Sequence, residues 1–124
     1  MTPIELIARR EALGLSQGLL AHRLGVEQNT VSRWEHGQRQ IPAGVNAELR
    51  ALEKLVDHIV DNAVTALEAV ASENTPPILF AYRDNQDLWA AIPELDGLPA
   101  AAHRVALARA LTEYDSHAQI HEKP

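Results

Sequence analysis

Between Ala43 and Ala71 the apolar positions Val45, Leu49, Leu52, Val56, Ile59, Ala63, Ala66 and Val70 follow alternating steps of four and three. That spacing is a heptad seam along one face of a single long helix, and no proline interrupts it. A second stripe, Leu55, Val60, Val64 and Leu67, widens the face. So much apolar surface needs partners. The first half of the helix is expected to support the segment before it, and the second half (Val56, Ile59, Ala63, Ala66, Val70) to pack on another copy of the chain.

Upstream, three short helical patterns are separated by glycines. Thr2-Pro3-Ile4-Glu5 reads as a helix start, with Thr2 as cap, Pro3 in the first turn and Glu5 closing a capping box. The helix should run from about Pro3 to Leu13, bury Ile4, Ile7 and Ala8, and stop at Gly14. Ser16 can cap a second helix whose apolar face is Leu20, Ala21 and Leu24, with Gly25 as its left-handed end. Val26 and Val31 then face back toward that helix. Two helices crossing over so tight a turn need a small residue at the contact, and Ala21 supplies it. The pair reads as a helix-turn-helix, ending at Gly37.

Downstream the pattern changes. Ser72 to Pro77 reads as a turn or short linker, since two prolines exclude helix continuation. Ile78-Leu79-Phe80-Ala81-Tyr82 reads as a short strand. No second convincing strand is visible to pair with it. Pairing with the same strand of another subunit would satisfy its backbone, and so would a buried extended segment with side-chain partners. Asp84 to Ile92 is expected to be a short helix burying Leu88 with Trp89 or Ile92. Leu98 to Tyr114 is expected to be a last helix with Val105, Ala108 and Leu107 or Leu111 inward, and residues from Ser116 onward are expected to fray. The fold class is thus mainly α. Residues 1–44 are expected to form a helix-turn-helix bundle resting on the start of the long helix 43–71, and residues 45–124 a C-terminal dimerisation region with one strand.

Charge divides along the same line. The 124-residue chain carries a formal charge of −6, yet residues 1–44 hold five arginines against four glutamates, so the acidity belongs to the remainder. Local charge decides where a phosphate backbone docks. The chain has no cysteine, which excludes disulfides, thiolate metal ligands and cysteine nucleophiles. With no apolar run of membrane-spanning length and no signal pattern at the N-terminus, a cytoplasmic protein with no membrane partner is expected.

The segments LGLSQ (Leu13 to Gln17), LAHRLGV (Leu20 to Val26) and NTVSRWEHG (Asn29 to Gly37) resemble the Cro/repressor-like, XRE-type helix-turn-helix family of phages and bacteria. The resemblance implies that residues 1–44 form a bundle of the lambda-repressor-like type, that Arg10 and Glu35 form a structural ion pair, and that Gln17 meets a phosphate at the start of the second helix. Gly18 and Leu19 depart from polar residues common in the family, and Glu27 stands where a serine or threonine cap is usual. The C-terminal arrangement is similar to dimerisation regions of small phage and bacterial autorepressors, including anti-CRISPR-associated regulators.

Candidate chemistry follows. A carboxamide at Gln28 or Asn29 can donate to and accept from adenine in a major groove, and Arg33 can reach guanine or a phosphate. Thr30 and Ser32 could touch phosphate, a thymine methyl or water. Arg39, in a loop past the helix, and Arg23 suit phosphate better than bases, whereas Trp34 suits packing. His117 and His121 have the spacing of a helical metal pair but lack a third ligand, and His22, His36, His58 and His103 are scattered, so neither metal nor cofactor is expected. No phosphate loop, nucleophile elbow or acid/base constellation points to catalysis. The expected function is a homodimeric repressor on an inverted-repeat operator, with double-stranded DNA and itself as partners. Its dimer contacts would come from the second half of the long helix together with Ile78, Leu79, Phe80 and Tyr82. The alternative is an antitoxin whose acidic C-terminal region binds a toxin.

Overall fold

The computed structural model describes residues 1–70, 75–114 and 117–124. They form six helices, α1 (Pro3–Ala12), α2 (Gln17–Leu24), α3 (Gln28–Glu35), α4 (Ala43–Ala69), α5 (Asn85–Ala91) and α6 (Ala100–Glu113). A single 3₁₀ turn (Pro93–Leu95) and two strands, β1 (Ile78–Ala81) and β2 (Gln119–Glu122), complete the fold. The chain divides into two compact units, 1–53 and 54–124, with the boundary inside α4. Among the described residues no helix is long and apolar enough to cross a membrane.

In the first unit the helix ends are set by side chains. Thr2 Oγ1 accepts from the Glu5 N–H at 3.2 Å and Ser16 Oγ from the Leu19 N–H at 3.0 Å. Gly25 closes α2 at φ 68°, a left-handed conformation that costs a glycine nothing and lets the Val26 N–H reach the Ala21 carbonyl. The core is Leu6, Leu13, Leu15, Leu20, Ala21, Val31 and Trp34 with Val45, Leu49 and Leu52 from α4. Helix α1 presents a different face from the one its isoleucines suggest. Ile4 is 69% exposed, Ala8 is exposed and Ile7 half-buried, while Leu6 is fully buried. The inward line is Leu6, Arg10, Leu13, one polar residue between two leucines.

In the second unit the inward stripe of α4 is Val56, Val60, Ala63 and Leu67. The expected seam breaks down there: Ile59 is half-buried, Ala66 exposed and Val70 60% exposed. A straight helix has 3.6 residues per turn and drifts about 20° per heptad against a 3.5 repeat, so the buried line moves from the first stripe to the second. Val56 and Ala63, expected to contact another copy, serve this core.

The strand β1 has its partner within the chain, contrary to the sequence expectation. It pairs in parallel with β2, in the register Ile78 with Gln119 through Ala81 with Glu122. Ser72 to Asn74 of the expected linker, and Ser116, lie outside the described residues, but the segment expected to fray beyond Ser116 contains this strand. Helix α5 starts on Asp84, whose Oδ1 accepts from the Asp87 N–H at 2.9 Å, and buries Leu88. Trp89 Nε1 donates to the Leu98 carbonyl at 2.7 Å. Helix α6 buries Ala102, His103, Ala106, Leu107 and Ala110, while Val105 is 44% exposed and Ala108 is exposed. An alanine face allows a helix to approach its neighbours closely, a packing contribution that residue size alone does not signal.

Candidate nucleic-acid interface

The polar residue inside the α1 face organises the site. Arg10 Nε donates to Glu35 Oε2 at 2.6 Å and Nη2 to Oε1 at 3.0 Å, a two-pronged pair, and Nη1 donates to the Leu15 carbonyl at 2.9 Å. Gln17 Nε2 adds a third donor to Glu35 Oε1 at 2.9 Å. The end of α3 is thereby tied to α1, to the loop before α2 and to the first turn of α2. Glu35's side chain is only 3% exposed. Burial pushes its carboxyl upward, but the hydrogen bonds from Arg10 and Gln17, with the charges of Arg10 and His36, outweigh that and hold it below the usual carboxylate range.

With its C-terminal end fixed, α3 turns its other face outward. Val31 and Trp34 are buried, Gln28, Asn29 and Arg33 are exposed, and Thr30 and Ser32 are half-buried. The helix starts at Glu27, whose side chain caps nothing, so the first N–H groups of α3 have no side-chain acceptor there. The Gln28 carboxamide lies over the start of α2, its Oε1 3.5 Å from where a Cβ on Gly18 would stand, an ordinary van der Waals distance.

Residues 6–47, from Leu6 in α1 into the start of α4, match the family model described as helix-turn-helix. This segment is a Cro/C1-type helix-turn-helix domain. The domain supports a DNA-binding transcription regulator of that type. No curated protein matches the chain.

The helix-turn-helix accounts for its arginines unequally. Arg9 is held by Glu53, at 3.1 Å and 2.6 Å, and by Asn46 Oδ1 at 2.6 Å, and Arg23 is held by Glu48 at 3.2 Å. Arg23 is thus engaged by a carboxylate, which competes with the phosphate contact expected of it. Arg33 and Arg39 are exposed and form no ion pair among the described residues. They are the cations the domain leaves open to a phosphate backbone. Gln17, expected at a phosphate, spends one amide proton on Glu35 and keeps the other.

Sequence reasoning missed His36. Its Nδ1 lies 2.7 Å from the Ser32 carbonyl oxygen, which can only accept, so the proton sits on Nδ1 and the ring closes the last turn of α3. Its i, i+4 spacing from Ser32 was the available signal. His103, read from the sequence as a surface or partly packed group, is 5% exposed, its Nδ1 without a partner among the described residues. The helical spacing of His117 and His121 does not apply, because β2 begins at Gln119 and His121 lies within it.

Proposed function

We propose that the chain is a homodimeric repressor that sets two helix-turn-helix domains on an inverted-repeat operator, α3 of each lying in a major groove. The observation that carries the reading is the division of labour on α3. Its inward residues Val31, Trp34 and Glu35 are locked, while Gln28, Asn29 and Arg33 are exposed on the same helix. Gln28 and Asn29 would read base edges with their carboxamides, Arg33 a guanine or a phosphate, and Thr30 and Ser32 would fill in contacts beside them. Gln17, through its remaining amide proton and the free N–H groups of the α2 start, and Arg39 would grip the backbone. One such unit reads only a few base pairs, so two copies with half-sites about one helical turn apart, or a multiple, give a usable site.

The experiment is selection of bound duplexes from a random library by the full chain, followed by light scattering of the best complex. An enriched inverted repeat carrying two chains is expected. Failure of a well-folded protein to enrich any sequence would overturn the reading.

A further inference from the structure

The two-stranded sheet of the second unit has one protected edge and one bare edge. The β2 edge carries charge and polarity: His121, Glu122 and Lys123 follow one another, and Glu122 is paired with Arg83 at 2.9 Å. Charged edges resist pairing with another chain. Strand β1 is Ile-Leu-Phe-Ala, with no charge and no proline. Its two outward side chains, Ile78 and Phe80, are each 42% exposed.

The ladder fixes which peptide groups of β1 are unused. The Pro77 carbonyl accepts from the Gln119 N–H and the Ala81 carbonyl from the Lys123 N–H, each at 2.9 Å. In a parallel ladder bonding alternates along the strand, so residues 77, 79 and 81 face β2, and the N–H and C=O groups of Ile78 and Phe80 point to the opposite edge. Leu79 and Phe80 of β1 also border a groove of about 440 Å³, together with Leu55, Ile59 and Ala63 of α4 and Leu95. No residue of β2 borders it.

We propose that this edge pairs with the same edge of a second copy, antiparallel, about a two-fold axis through Leu79. The geometry is self-complementary. Ile78 of each copy exchanges both peptide hydrogen bonds with Phe80 of the other, and Leu79 faces Leu79 as the non-hydrogen-bonded pair between them. Every free peptide group at Ile78 and Phe80 is then used, and the strand order becomes β2, β1, β1, β2. The ribbon already packs on α6, and the pairing extends it to four strands without disturbing that face. The inference rests on the dimeric reading above and adds the contact that makes the dimer.

The test uses the absence of cysteine from the chain. Leu79→Cys puts the sole thiol on the axis, where Cα atoms of such a pair stand about 4.5 Å apart, within the range a disulfide spans. Ile78→Cys puts it where the two copies are more than about 7 Å apart, beyond that range. Under mild oxidation L79C should run as a covalent dimer and I78C as a monomer in denaturing gels. Ile78→Pro removes an edge N–H without touching the β2 ladder and should shift the full chain to a monomer in light scattering with its circular dichroism unchanged. A parent chain that is monomeric at tens of micromolar would overturn both the dimeric reading and this contact. A dimeric parent whose L79C variant does not cross-link and whose I78P variant stays dimeric would overturn the strand contact alone.

Discussion

Replacing Arg10 by methionine should be among the most damaging single changes in the first unit. The substitution keeps the aliphatic stem but removes both prongs on Glu35 and the bond to the Leu15 carbonyl. Glu35 keeps only the Gln17 amide, in a place where its side chain is 3% exposed. Breaking one side of a buried ion pair costs about 3–5 kcal/mol, and the remaining Gln17 bond places this case near the lower end, about 3 kcal/mol. Against a total stability of roughly 5–15 kcal/mol that is a large fraction. Removing Glu35 as well, in Arg10→Met with Glu35→Leu, should recover most of the loss, because no charge is then left buried. The assay is urea unfolding followed by fluorescence in a Trp89→Phe background, where Trp34, 4% exposed in this unit, is the sole indole. The sign with pH is a second check. In the parent, Glu35's lowered carboxyl contributes stability above its unfolded value that is lost as pH falls through the folded one. In R10M both contributions of Arg10 are gone, and burial is opposed only by the Gln17 amide and the charge of His36, so the carboxyl rises relative to the parent and the deficit should narrow on acidification. An R10M variant within about 1 kcal/mol of the parent, or a double variant worse than the single, would refute the argument.

The remaining expectations are smaller and separable. Gln28→Ala and Arg33→Ala should each cost about 1–3 kcal/mol on the selected operator and relax sequence preference, measured by fluorescence anisotropy on operator variants. Arg39→Ala should weaken all sequences alike and lower the slope of log affinity against log salt by about one. Gly25→Ala should cost about 1 kcal/mol in thermal or urea unfolding from the left-handed φ of 68° alone, since a Cβ there meets no atom within 4 Å. His103 is held below its ordinary value of 6.5 by burial and by Arg104. The second unit should therefore lose stability as pH falls below about 6.5, by at most about 1.4 kcal/mol per pH unit, and His103→Phe should flatten that slope.

The elements of this fold with local signals were readable from the chain. Thr2, Ser16 and Gly25 mark helix ends through chemistry within a few residues, and they stand where that chemistry places them. Faces were harder to read where a buried position is polar or small. Arg10 broke the Leu6 to Leu13 line because a charge inside a helix face is legible only with its partner, Glu35, 25 residues on. Ala102, Ala106 and Ala110 hid the α6 face because alanine carries little hydrophobic weight, although it allows the closest approach. On α4 the heptad was real over Val45 to Val56, and helical drift then handed burial to Val60 and Leu67. Strand β2, Gln-Ile-His-Glu, carries a single apolar residue, and its pairing depends on a contact with β1 some forty residues earlier. In the interface, the outward set on α3 followed from the pattern. The engagement of Gln17 by Glu35 and of Arg23 by Glu48 did not, because each depends on how separate helices meet.

The central claim is that α3 of the helix-turn-helix is the element that reads DNA. Its most direct test is the perturbation of backbone amide resonances in the ¹⁵N-labelled full chain on titration with the selected duplex. The largest shifts are expected at 16–18, at 28–33 and near Arg39, with the second unit shifting little. Shifts concentrated in residues 54–124, with α3 unmoved, would contradict it.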